Sequence, residues 1–310
     1  MNYTEILLAI APVFLLILFG YGLRRADFPG ADFWERSNRL VYWVLFPALL
    51  FSSTSTIDFS GDAVLSYAAV IYSGFGSAVI FALLASKLLG LGGPLSTSVL
   101  QGSARHNTFI ALAVAERLLG SEGLSIAVLS SALLIPVTNI VVVALMVVLL
   151  QDGSQRSIVR AVLRDLARNP LLIAVVIGIS ANLLGITPFP VVSDFASIIG
   201  RAALPIMLIG IGAGIQVRRM RAAATPVILS VAGKMAVFPL VIVVVGQWVG
   251  LPEMALVVAV IFGAVPTAGS AYALARQMGG DAEAISAIVT IQMAISFFSL
   301  PLTLAIVQMI

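Results

Sequence analysis

Two stretches of this 310-residue chain place polar or helix-breaking residues deep inside apolar sequence. The first is Gln101-Gly102-Ser103-Ala104-Arg105-His106-Asn107-Thr108. The second is Gly263-Ala264-Val265-Pro266-Thr267-Ala268-Gly269-Ser270. An apolar segment opening near Leu95 puts Asn107 about 18 Å along a helix, close to the middle of a hydrocarbon core about 30 Å thick. Pro266 lies equally deep, counted from Met254. Proline removes a backbone donor and crowds the preceding turn, and Gly263 and Gly269 weaken the helix further. Both stretches therefore read as broken helices. A broken helix end presents free N–H groups and a positive dipole to an anion. Irregular backbone at this depth is tolerated only where it is buried in protein or lines a wet cavity.

The charges at that depth point the same way. Arg105 sits about 15 Å into its segment, and Lys234 about 18 Å from Ala222. The acidic Glu116, Asp194, Glu253 and Glu283 fall near segment ends. The interior field is thus positive, which suits an anionic substrate. Both cations also have a structural or snorkelling reading, and Arg201 reads as a snorkelling interface residue. His106 titrates near neutral pH and reads either as a proton carrier or as a satisfied interior histidine. Asn139 and Gln292 bond either a ligand or neighbouring helices. The candidate substrate-binding set is Arg105, His106, Asn107, Thr108, Asn139, Lys234, Pro266, Thr267, Gly269 and Ser270. With no cysteine and one histidine, thiolate catalysis and Fe–S ligation are excluded and a multi-histidine metal site is disfavoured. No catalytic residue, metal or cofactor is expected.

The elements that hold these residues follow from composition. Hydrophobic residues make up 60% of the chain and charged residues 10%, against roughly 25% charged in soluble domains. So few charges cannot cover a water-facing surface, and the expected fold is an all-α polytopic membrane protein. Ten apolar segments run near 6–23, 38–55, 63–89, 95–119, 124–150, 169–187, 194–217, 222–249, 253–277 and 283–310. Their continuous apolar runs exclude a β-barrel.

The sequence also repeats. At a shift of 158 positions Pro12 meets Pro170, Gly20 meets Gly178, Pro47 meets Pro205, Gly92 meets Gly250 and Pro94 meets Pro252. One residue later Thr108 meets Thr267, Arg117 meets Arg276 and Gly120 meets Gly279. Two halves, 1–155 and 156–310, are expected to fold alike with five spans each. Five is odd, so the second half enters the membrane from the opposite side. Such inverted repeats, with breaks at matching positions, mark the binding site of secondary transporters.

Loop charges orient the chain. Arg24, Arg25, Arg36, Arg39, Lys87, Arg156, Arg160, Arg164, Arg168, Arg218, Arg219, Arg221 and Arg276 share one side; Arg117 stands on the other. The positive-inside rule places the thirteen in the cytoplasm and both termini in the periplasm, in the inner (plasma) membrane. The basic balance is therefore assigned to orientation, with no nucleic-acid partner expected. Met1–Glu5 lacks a basic n-region, so the first span is expected to stay. Gln151–Gln155 reads as a hinge, and Arg156–Arg168 as an amphipathic connector on the headgroups.

The chain resembles the auxin efflux carrier family, bacterial relatives of plant PIN carriers and malonate or malate permeases. The resemblance covers essentially the whole chain. It rests on Leu40–Phe51, Asn107-Thr108-Phe109-Ile110, Asn169-Pro170, Ala203-Leu204-Pro205, Val265-Pro266-Thr267-Ala268 and Gly279-Gly280-Asp281. It implies two inverted five-helix repeats, like sodium/bile-acid carriers, with broken, crossing helices four and nine. It also implies a scaffold of spans one, two, six and seven moving against a transport domain of the others, carboxylate substrates, and homodimers formed through the scaffold. The chain departs from the family near Ala113, where a proline is expected, so the break in span four rests on its polar run. The function expected is alternating-access transport of a small organic anion without sodium. A sodium-coupled bile-acid-type symporter and an intramembrane Ser/Lys hydrolase are the alternatives.

Overall fold

The computed structural model describes residues 2–55, 61–150, 164, 168–185, 190–215 and 224–309. Among these there is no strand. A chain this apolar must satisfy its backbone internally, and the α-helix does so within one segment. The first half comprises α1 (Tyr3–Arg25), α2 (Ala31–Leu40), a π-helical turn (Val41–Leu45), α3 (Phe46–Thr54), α4 (Gly61–Leu88), α5 (Gly93–Ala104) and α6 (Thr108–Leu150). The second comprises α7 (Pro170–Leu183), α8 (Pro190–Arg201), α9 (Ala203–Ala213), α10 (Ala224–Ala232), a π-helical turn (Gly233–Val237), α11 (Phe238–Val249), α12 (Glu253–Ala264), α13 (Ser270–Met278) and α14 (Ala282–Val307). Six helical stretches among the described residues are long and apolar enough to cross a membrane, and α7 and α12 are shorter apolar helices.

Local sequence sets the boundaries. Asn2 and Glu5 form a reciprocal capping box at the start of α1, satisfying two of the end's free donors. Asn169 caps α7 ahead of Pro170, whose missing N–H has no role at a first helical position. Asp281 caps α14. Gly120, at φ 66° and ψ −154°, breaks the ladder of α6 into limbs 108–119 and 121–150. Its repeat mate Gly279 also has positive φ, 77°.

The stretch from Arg24 to Arg39, expected as a loop, is partly helical. Residues 31–40 form α2, which runs through the π turn into α3. The segment is too polar to read as a span, but it buries Trp34 while Arg36 and Arg39 stay exposed, as an amphipathic helix does. The hinge Gln151–Gln155 and the amphipathic connector lie outside the described residues, apart from Arg164 and Arg168. Arg218, Arg219 and Arg221 also lie outside them.

The small-residue runs are close-packing surfaces. A Cβ on Gly20 of α1 would strike the Ile209 backbone of α9, and one on Gly212 of α9 would strike the Ile17 backbone of α1. Gly178 and Gly200 let α7 and α8 approach α3 in the same manner. A second set ties other helices together. Gly102 of α5 lies against Ser230 of α10, Gly233 against Ser103, and Gly74 of α4 against Phe238 and Ile242 of α11. Among the described residues, no glycine approach of this kind joins the first set (α1–α3, α7–α9) to the second (α4–α6, α10–α14). Between the sets lie edge-to-face aromatic pairs, Phe14 with Phe297 at 5.2 Å and Phe46 with Phe109 at 4.6 Å between centroids. Hydrogen bonds that join them include Arg117 Nε to the Ala9 carbonyl, 3.1 Å, and Ser125 Oγ to the Ser53 carbonyl, 3.4 Å.

Candidate functional site: two helix breaks in contact

The interruptions fall at the two stretches that the sequence marks. Helices α5 and α12 are each 12 residues long, and both end in extended backbone: Arg105 at φ −75°, ψ 154° and Val265 at φ −66°, ψ 153°. The amide of each still donates four residues back, Arg105 to Gln101 (3.0 Å) and Val265 to Ile261 (2.9 Å). Residues 105–107 and 265–269 are non-helical, after which α6 and α13 begin.

The breaks touch. The Asn107 amide donates to the Pro266 carbonyl at 2.8 Å. Thr267 Oγ1 donates to the Gln101 carbonyl at 3.0 Å. The Asn107 side chain turns back to cap α6, accepting from the Ile110 amide at 3.2 Å. Gln292 of α14 clamps both breaks: its Oε1 accepts from the Thr267 amide at 2.9 Å, and its Nε2 donates to Gly102 at 2.9 Å and Ser230 at 3.0 Å. The Gly102 carbonyl is the one that a helical His106 amide would have used, so Gln292 replaces a bond that the break removes. Gln292 is thereby committed to protein groups.

The cations differ in kind. Lys234, in the π turn, is fully buried. Its Nζ donates to the Phe262 carbonyl at 2.8 Å and stands 4.2 Å from the centre of the Phe238 ring. Arg105 is 9% exposed and donates through Nη2 to Ser270 Oγ at 3.0 Å, while Ser270 itself is exposed. Arg105 Nε and Nη1, both His106 ring nitrogens, both Gln101 amide atoms and the hydroxyls of Ser103 and Ser230 are buried without a partner among the described residues. His106 lies beside Phe262, with ring centres 5.4 Å apart. Buried polar groups are rarely left unpaired, so this concentration of idle donors and acceptors marks a place built for polar contact.

The structure thus brings together Arg105, His106, Asn107, Thr108, Pro266, Thr267, Gly269 and Ser270 around the two breaks, with Lys234 directly behind. Asn139 does not join them through any described hydrogen bond. It is half-buried on the return limb of α6, and counting rise from Gly120 puts it about 10 Å beyond the level of Thr108. Gln101, Ser103 and Ser230 were not among the expected site residues. Their signal was present: Gln101 and Ser103 belong to the polar run, and Ser230 lies one turn before Lys234.

Residues 5–304 match the family model described as Membrane transport protein. The chain belongs to this family of transporters. The match spans nearly all of the sequence and agrees with its resemblance to the auxin efflux carriers. The transporter is also 27% identical over 306 residues to an uncharacterized transporter of Methanothermobacter thermautotrophicus, with 97% of each chain covered.

The clamp gives a first prediction. Gln292→Leu should leave the Thr267 amide and the Gly102 and Ser230 carbonyls unpaired, destabilising the transporter by on the order of 3 kcal/mol. Thermal unfolding of the purified protein in detergent reads this directly. A melting temperature equal to wild type would show that these bonds do not hold the breaks together.

Proposed function

We propose that the transporter carries small organic anions, carboxylates in particular, across the membrane by alternating access, without sodium coupling. The observation that carries this reading is Arg105. Its guanidinium is buried at a helix break with Nε and Nη1 unpartnered, and the ion pair described in the structure, Arg24–Asp27, is elsewhere. A desolvated cation with idle donors is costly unless an anion meets it. A carboxylate has the planar geometry to use that fork. The adjoining starts of α6 and α13 direct positive dipole ends to the same place.

The proposed framework is two inverted five-helix repeats, 1–155 and 156–310, with both termini periplasmic. Helices α1–α3 and α7–α9 form the scaffold, and α4–α6 and α10–α14 form the moving domain that carries the breaks. The two glycine-packed sets support this division. Close glycine packing ties the helices within each set together, whereas the described contacts between the sets include two edge-to-face ring pairs and two hydrogen bonds. Lys234 at the Phe262 carbonyl favours sodium independence over the bile-acid-type symporter. A cation is already present at that helix end, and no carboxylate is described beside it.

Initial rates of labelled carboxylate uptake into proteoliposomes test this reading, with sodium replaced by choline at fixed potential and pH. The expected result is an unchanged rate that responds to membrane potential, since one charge moved through 100 mV is worth about 2.3 kcal/mol. A collapse of the rate in choline would overturn sodium independence. Failure of every small carboxylate to be transported would overturn the substrate class.

A further inference from the structure

Pro266 has a consequence for a residue four positions earlier. In an unbroken helix the Phe262 carbonyl would accept from the amide of residue 266, but proline has no N–H. Phe262 is fully buried, so water does not reach that carbonyl. It lies in the last turn of α12, where the helix dipole is negative. The donor that meets it is the Lys234 ammonium, at 2.8 Å. The Phe238 ring face closes the other side at 4.2 Å, in the range of a cation–π contact. Gly233, packed against Ser103, brings this turn close to α5. Lys234 sits in the π turn Gly233–Val237, a type of turn that often serves function.

The other break is handled differently. There the freed Gly102 carbonyl is met by the neutral amide of Gln292. One break is therefore tied by a neutral donor and its partner by a charge. A carbonyl oxygen at a helix C-terminus and a ring face each attract a monovalent cation.

We propose that Lys234 is a positioning residue whose ammonium acts as a tethered cation, filling from within the chain a site that a free monovalent cation would otherwise occupy at the end of α12. Resting on the anion-transport reading, this gives the proposed sodium independence a structural cause. The cation that fixes the break travels with the chain and need not be bound or released in each cycle. Removing the side chain uncovers the site and makes the protein depend on an added cation.

Lys234→Ala and Lys234→Met test this, with purified protein unfolded thermally in chloride salts of choline, sodium, potassium, ammonium and methylammonium. Wild type should melt alike in all five. Lys234→Ala should melt lower in choline and regain about 5 °C in sodium or ammonium, as mass-action binding to the folded state requires. Lys234→Met, whose side chain fills the space, should be destabilised without responding to any cation. If Lys234→Ala melts alike in every salt, or if Lys234→Met responds as Lys234→Ala does, the proposal is overturned. Should Lys234→Ala not survive purification in choline, recovery of folded protein in ammonium supports the proposal, and failure in all five salts overturns it. The readout needs no substrate. Cation rescue in a protein that transports no carboxylate would sink the functional reading alone, whereas carboxylate transport without cation rescue would sink this inference alone.

Discussion

Arg105→Gln is expected to weaken anion binding by about 10- to 100-fold while leaving the protein folded. A charge-assisted hydrogen bond contributes roughly 1.5–3 kcal/mol, and each 1.4 kcal/mol is tenfold in affinity. Glutamine keeps a donor of similar reach, so the variant isolates charge and fork geometry from bulk. Arg105→Lys should fall between the two, because an ammonium is a point charge and lacks the planar fork. Ser270→Ala should have a smaller effect, since it releases only the Nη2 contact at 3.0 Å. Titration with the transported carboxylate, by calorimetry or ligand-induced thermal shift, reads all three. Wild-type affinity in Arg105→Gln would show that the guanidinium is structural and that the anion binds elsewhere. A lowered melting temperature without ligand would show that Arg105 holds the break itself.

What the sequence made legible follows from how strongly each signal acts on the backbone. Pro266 and the polar run at Gln101–Thr108 interrupt helices for local reasons, and both breaks lie where those residues predict. The departure near Ala113 did not matter, because Arg105 leaves the helix without help from a proline. Gly212 was legible as a packing position, since a helix surface without side chains serves to let another backbone near. The partners of the broken ends were not legible in full. That Pro266 orphans the Phe262 carbonyl is a local deduction, but its donor, Lys234, is 28 residues away in sequence. Gln292 could have faced ligand or neighbour from sequence alone. Only the convergence of Thr267, Gly102 and Ser230 on its amide commits it to the protein. Helix α2 was missed because its polar face masked the apolar one, and for Asn139, which could have met a ligand or a neighbouring helix, no described hydrogen bond decides between the two.

The largest effect is expected from joining the two packed sets. The chain has no cysteine, so a pair introduced across the boundary is the sole thiol chemistry in the protein. Ser53 of α3 and Ser125 of α6 adjoin there, with Ser125 Oγ 3.4 Å from the Ser53 carbonyl. Oxidation of Ser53→Cys/Ser125→Cys, or bridging with a short bis-thiol reagent, should reduce transport in proteoliposomes to the protein-free background. Reducing the disulfide should restore it. The argument is geometric: in the proposed mechanism the set that carries Arg105 moves past the set that holds α3, and one covalent link removes that freedom whatever the substrate. A control pair, Tyr67→Cys/Ser130→Cys, replaces two residues that hydrogen-bond within the second set and should leave transport unchanged when linked. Both linked proteins should still bind the anion, because Arg105 and Ser270 belong to one set and neither link separates them. Undiminished transport in the fully linked boundary pair would mean that these sets do not move against each other. Equal loss in the control pair would mean that motion within α4–α6, and not between the sets, opens the site.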